Sequence, residues 1–426
     1  MSFYPKITIS ITLIALILAL TSCDFLSADG NSPYIEPEFS VTNDVTNRLT
    51  LYDDTESSES KAKPSRGIES ELSVAATVSP PVVNNEATRA SHLDYDGEYI
   101  HVGYKTYGTD YGGGVDIFSA DGVLEESARS FQGDDFDVQE VVYDNDENAI
   151  YIAGAVKGKI AGDFKAQILK LDAESAGLLE SSSTEGNLVK SIDRTDNYIY
   201  AVSDQNHMYR FGKDLDTWEL LPESASENVN NYRSIWTGIT NEIFTLDQLG
   251  TVRRVNHNYN GFRITQNLIG NNGQSEDPRF QEGTIARLSS FTHTNGRNYV
   301  LAALNEFGFT VLDTEGAVKW NSKTDSESSE VQNRHYTSVT TFEPSGSSGK
   351  NKTYVYAGGS DETGNYIDIF EVPNGFNGRG LTLVNSHNLD EFSEINSSGQ
   401  INHIVATERR LYVAKGTDGL VIFDLE

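Results

Sequence analysis

The stretch Leu411-Tyr-Val-Ala-Lys-Gly-Thr-Asp-Gly-Leu-Val-Ile-Phe-Asp-Leu-Glu426 reads as two short strands joined by a Gly-containing turn. No further strand follows it, so the last sheet edge must be covered by some other segment. An unpaired apolar edge strand is a template for aggregation.

The first of these two strands is one member of a degenerate repeat. Segments of the form apolar–aromatic–small recur as YIHVG (99–103), AIYIAG (149–154), YIYAVS (198–203), EIFTLD (242–247), YVLAA (299–303), YVYAGG (354–359) and LYVAKG (411–416). Their anchors Ile100, Ile150, Ile199, Ile243, Val300, Val355 and Leu411 are 44 to 57 residues apart, the period of propeller blades. A second strand follows each, such as VDIF (115–118) and LVIF (420–423), and another precedes each. The preceding strands begin near His92, Glu140, Ser191, Ser234, Arg287, Ser338 and His403. Asp96-Gly97, Asp121-Gly122, Asn260-Gly261 and Asn295-Gly296 supply turn chemistry between strands. No amphipathic helical stretch of useful length follows residue 90, so the chain reads as all-β.

Six units offer a fourth, outer strand, for example at 177–183, 261–267 and 381–386, and the seventh does not. Upstream, in ELSVAATVSP (71–80), Leu72, Val74, Ala76 and Val78 alternate with Ser73, Ala75, Thr77 and Ser79 before Pro80-Pro81 stops the run. The segment 71–79 is therefore expected to pair with LVIF and close the ring. The plainer alternative leaves it as more linker. The expectation is a seven-bladed β-propeller over residues 68–426, its last blade completed by an N-terminal strand.

The last unit resembles the LVIVD-repeat proteins, bacterial propellers that often carry lipoprotein signals. Tyr412, Val413, Ala414, Gly416, Gly419, Leu420, Ile422 and Asp424 match that repeat. Tyr151, Ala153 and Gly154 keep part of it in the second unit, and Gly308, Val311 and Asp313 in the fifth. The resemblance implies a seven-bladed propeller at the cell envelope and no defined activity; a fold does not supply a function.

The N-terminus fits such a location. Lys6 precedes an apolar run, Ile7 to Leu20, too short for a comfortable bilayer span. The run ends in Leu20-Thr21-Ser22-Cys23, which resembles a bacterial lipobox, and Cys23 is the only cysteine among 426 residues. Residues 1–22 are thus expected as a lipoprotein signal peptide and Cys23 as the lipidation site, with membrane attachment through that lipid. An ordinary signal peptide with a chance cysteine is the alternative. Asp24 is associated with inner-membrane retention in enterobacterial lipoproteins, a rule other groups do not follow; the outer membrane is the expected location. Residues 23–67, rich in Ser, Asp, Glu, Asn and Thr, are expected as a disordered tether. A net charge of -31 argues against nucleic acid and against a purely electrostatic hold on anionic lipid. The propeller itself is expected as a monomer.

Chemistry is harder to find. The acidic turns Asp94-Tyr-Asp96-Gly97-Glu98 and Asp144-Asn-Asp146-Glu-Asn148 could supply oxygen ligands for calcium, but Asp, Asn and Gly are also what hairpin turns use. His92 and His403 hold aligned places on inner strands of adjacent units, His335 lies near that place on the sixth, and with Glu140 they could hold zinc. No cofactor is expected, and calcium and zinc are the two metals left open. Adding Lys190, Arg233 and Arg287 gives a candidate ligand-binding ring at the channel mouth, suited to a small anion or an acidic loop. The alternative is that these charges pair with Glu140 and neighbouring carboxylates. No Gly-x-Ser-x-Gly and no phosphate-binding glycine loop occurs. The expected function is a non-enzymatic binding or scaffold module for a protein, peptide or glycan. The second expectation is a metal-dependent hydrolase or lactonase-like enzyme acting at the channel mouth.

Overall fold

The computed structural model describes residues 34–425 except 43, 53–71, 107–110, 121, 123, 125–127, 161, 221–231, 239–241, 249, 257–262, 268–284, 294, 344–351, 375, 377–378 and 397. The expected signal peptide, Cys23, Asp24, Asp121 and the Asn260-Gly261 turn lie outside the described residues.

Seven antiparallel sheets follow one another along the chain, and each begins with an innermost strand. These inner strands are Arg89–Tyr95, Phe136–Asp144, Val189–Arg194, Tyr232–Trp236, Arg287–Thr292, His335–Phe342 and His403–Ala406. Strands next to them are buried on both faces, as in Ala149–Lys157, because each sheet is packed between two neighbours. Outer strands such as Leu178–Ser183 are largely exposed. The apolar core is accordingly divided among the junctions. Val138, Ile150 and Ile152 join blades one and two; Tyr200, Val202 and Ile243 join three and four. The molecule is a seven-bladed β-propeller.

The seventh sheet runs His403–Ala406, Arg410–Ala414, Leu420–Leu425 and then Leu72–Val78, so the N-terminal segment supplies its fourth strand. Leu72 pairs with Leu425 and Val78 with Leu420, antiparallel. The register shifts between Val74 and Ala76, so Ala75 is an extra residue in the ladder. That bulge turns Leu72 and Val74 toward the core shared with blade six, and Ala76 and Val78 toward the core shared with blade one. One strand thereby grips both neighbours. Gly419, at φ 82°, makes the preceding turn; a Cβ there would stand 2.1 Å from the Val78 carbonyl oxygen.

Part of the stretch expected as free tether is instead docked. Phe39–Thr42 adds a fifth strand to blade one, pairing with Arg129–Gly133, and Leu49–Leu51 adds a fifth strand to blade seven, pairing with the closing strand. The single helical turn Val45–Arg48 joins these two strands across the seam where the ring closes. Val45 is fully buried there in the core that holds Ala76, Val78, Tyr104 and Leu420. Arg48 reaches in and makes two hydrogen bonds to the fully buried Asp116 of blade one, at 2.8 and 3.0 Å, and one to the Ser79 carbonyl oxygen at 2.6 Å. Further upstream, Tyr34 bridges to Gly158 of blade two. The strap holds because its few apolar residues meet an open seam and its arginine meets a buried carboxylate.

Removing one member of a buried ion pair leaves the other uncompensated. Arg48→Met should therefore cost about 3–5 kcal/mol of stability in urea unfolding, whereas the double variant Arg48→Met/Asp116→Leu should recover much of it.

Candidate functional site

Around the channel, a β-bulge recurs near the start of the inner strands. The ladder skips Ser91, Gln139, Lys190, Arg233 and Thr337 in blades one, two, three, four and six. In blades one, two, three and six the residue that follows the bulge is re-aimed toward the next blade. There the side chain accepts the backbone N–H of the neighbouring inner strand. His92 Nδ1 accepts from Val141 (3.3 Å), Glu140 Oε2 from Ile192 (2.9 Å) and Ser191 Oγ from Ile235 (3.1 Å). Ser338 Oγ accepts from Ile404 (3.1 Å), and His403 Nδ1 closes the circle by accepting from Leu93 of blade one (3.0 Å). A strand on the inner edge has unpaired N–H groups, and this ring of side chains satisfies them in place of another strand.

The same ring is closed across its middle. Arg287 of blade five forms an ion pair with Glu140 and donates to the carbonyl oxygens of Ser91 (2.9 Å) and Asn402 (3.1 Å). Glu140 also accepts from Ser191 Oγ at 2.7 Å. His92 and His403 stack with ring centroids 4.5 Å apart. Burial, with His403 and Arg287 nearby, holds the His92 imidazolium well below its usual range; burial and Arg287 do the same to His403.

Of the residues expected at the channel mouth, the fold brings together His92, Glu140, Arg287 and His403. Lys190 and Arg233 occupy bulge positions and do not line the cavity described next. His335 is not in the ring: it is exposed at the start of its strand, opposite Ser360, and Ser338 holds the aligned place. The acidic turns already have protein partners, within the turn or on a neighbouring blade. Asp96 Oδ1 accepts from the backbone N–H of Glu98 and Tyr99, and Asp144 pairs with Lys213 at 2.5 Å. Among the described residues no three His, Cys, Asp or Glu side chains converge as a metal site.

Below the ring, along the direction in which the inner strands run, lies a cavity of about 360 Å³ lined by all seven inner strands. Asp94 and Asp193, two residues beyond His92 and Ser191, project into it. They were hidden in the sequence because Asp94 reads as part of a turn and Asp193 as an isolated strand acid. Each also ties a blade to its neighbour: Asp94 Oδ2 accepts from Tyr143 N (2.7 Å) and Asp193 Oδ2 from Thr237 N (2.6 Å). Burial pushes Asp94 up to about 6; burial, with Asp94 adding its charge, pushes Asp193 up to about 7. On the other side of the ring Lys105 donates to Gln139 Oε1 (2.6 Å), and Gln139 to Asp137 Oδ2 (2.6 Å), with Asp137 pushed up to about 6 by burial.

No protein-family model and no curated protein sequence matches the chain. Solved propellers do. The WD40 β-propeller domain of Doa1 superposes with a TM-score of 0.50 at 13% identity, covering 84% of this chain and 97% of that one. A catalytically inactive variant of virginiamycin B lyase from Staphylococcus aureus, with quinupristin, gives a TM-score of 0.50 at 9% identity, covering 84% of this chain and 100% of that one. At these identities the likeness is one of fold alone.

The raised aspartates carry a pH signature. An unfolded Asp193 loses its proton near pH 4 and the folded one near pH 7, so the folded chain binds more protons in that window and loses stability as pH rises through it. His92 and His403 act oppositely, since their depressed values remove stability as pH falls below about 6.5. Asp193→Asn deletes the first contribution. Its urea-unfolding free energy should gain about 2 kcal/mol on wild type between pH 4 and pH 7, the channel solvent discounting the full linkage value.

Proposed function

We propose that this protein is a lipid-anchored propeller of the bacterial cell envelope that acts as a non-enzymatic binding or scaffold module for a protein, peptide or glycan. The observation that carries this reading is the use made of the channel ring. Its imidazole Nδ1 atoms, its carboxylate and two of its hydroxyls are engaged in hydrogen bonds between blades. A metal-dependent hydrolase at this mouth would need carboxylate oxygens free to coordinate, and both oxygens of Glu140 are taken. The ring therefore serves the scaffold, and recognition falls to the loops and the cavity.

Support for the anchor comes from Cys23 in its lipobox-like context and from the LVIVD-like last repeat. Only residues 24–33 separate Cys23 from the Tyr34 contact with blade two, a reach of at most about 40 Å. An anchor at Cys23 would hold the propeller close to its membrane, with the flank of blade two nearest. The outer membrane is the proposed location and a monomer the proposed state.

Labelled palmitate and detergent-phase partitioning test the anchor, and a lactone and ester hydrolysis assay with added calcium or zinc tests the rest. Cys23→Ser should lower both label and membrane recovery by about tenfold or more, and no metal-dependent turnover should be seen. Undiminished labelling of Cys23→Ser, or turnover of either probe, would contradict the proposal.

A further inference from the structure

We propose that the cavity beneath the channel ring is a binding site for a neutral sugar residue at the end of a glycan. This rests on the non-enzymatic binding reading above and gives it a ligand class and a place. The first support is a set of hydrogen-bond donors on the cavity wall. His92 and His403 are each more than nine-tenths buried, and each spends Nδ1 on a backbone N–H. A neutral imidazole that accepts at Nδ1 carries its own proton on Nε2. Neither Nε2 has a hydrogen-bond partner among the described residues, nor does the hydroxyl of Ser234, which is 4% exposed; all three residues line the cavity. The three donors belong to residues that converge on one space.

The second support is what faces them. Asp94 and Asp193 line the cavity two strand residues further along, about 6.6–6.8 Å away. Asp94 Oδ2 accepts from Tyr143 N–H, and the two Asp193 oxygens accept from Arg194 and Thr237 N–H, so what each carboxyl offers a ligand is its remaining lone pairs. A ligand must therefore accept hydrogen bonds at one end and exchange them with carboxyl groups at the other. Vicinal hydroxyls do both. An anion finds no unpaired guanidinium there, since among the described residues the one lining the cavity, Arg287, is already paired with Glu140. A plain cation would leave the imidazole and Ser234 donors unmet, and Arg194 already stands beside Asp94 with a bond to the Tyr143 carbonyl oxygen.

The third support is shape. The half-buried indole of Trp236 lines the same space, fixed by its Nε1–H bond to Ser290 Oγ at 2.8 Å and packed against the core between blades four and five, and an aromatic ring in a cavity wall suits the C–H side of a sugar. About 360 Å³ sits at the small end of the usual ligand-cavity range of about 300–1,000 Å³.

The test is saturation-transfer NMR and calorimetry on the full chain in a sugar-free detergent. The probes are lactose, cellobiose, maltose and chitobiose, against sialyllactose, spermidine and glycylglycine. At least one neutral disaccharide should bind. His403→Asn keeps an acceptor for the Leu93 N–H but removes Nε2–H, and should weaken that binding by about tenfold, as should Asp193→Asn, with cooperative unfolding retained in at least one of the two. Binding of only the charged or zwitterionic probes, no binding of any neutral sugar, or wild-type affinity in both folded variants would overturn the assignment. Those results would leave the non-enzymatic reading intact, since that reading falls only to turnover in the hydrolysis assay.

Discussion

A sheet has two edges, and a ring of sheets built from one chain must hide the place where the chain begins and ends. In this propeller the solution is concentrated in a single composite blade. The closing strand Leu72–Val78 satisfies the edge of Leu420–Leu425, and the bulge at Ala75 lets its apolar residues enter two interblade cores instead of one. The strap then crosses the same seam, with Arg48 fastened to Asp116. Everything at the channel depends on this closure, because His403 of the last blade can reach Leu93 of the first only if the circle is complete.

The channel ring shows how structural and binding roles can share residues. His92 and His403 each have one nitrogen committed to the scaffold and one left facing the cavity. At His92 a bulge makes this division by turning the side chain from its own sheet toward the neighbouring strand, whereas His403 reaches Leu93 from the first residue of an unbulged strand. Charge follows the same logic: Glu140 and Arg287 neutralise one another at the centre of a protein with a net charge of -31. The ring is thus a lock whose inner side has useful chemistry left over.

Much of the architecture was legible because blades repeat. The anchors from Ile100 to Leu411 all fall in the second strands of their sheets, and the alternation over Leu72–Val78 identified the closing strand. What the alternation could not show was the extra residue at Ala75, which sends alternate-looking residues to opposite faces. The strap was missed because Phe39, Val45 and Leu49 follow no single period, and its ion pair joins residues 68 positions apart in sequence. His335 lies three residues before Ser338, the residue aligned with the other ring positions, and the structure leaves it exposed outside the ring. Asp94 was legible as an acid and misplaced as a turn residue, because its partner, the Tyr143 N–H, belongs to another blade.

The most direct measurement is thermal unfolding of two truncated chains, one lacking residues 1–33 and the other lacking residues 1–79. Loss of the closing strand and strap should abolish a single cooperative transition or lower its midpoint by at least about 10 °C, far more than a surface deletion costs. Coincident melting curves for the two chains would contradict the account, since the ring would then be held by something other than the composite seventh blade.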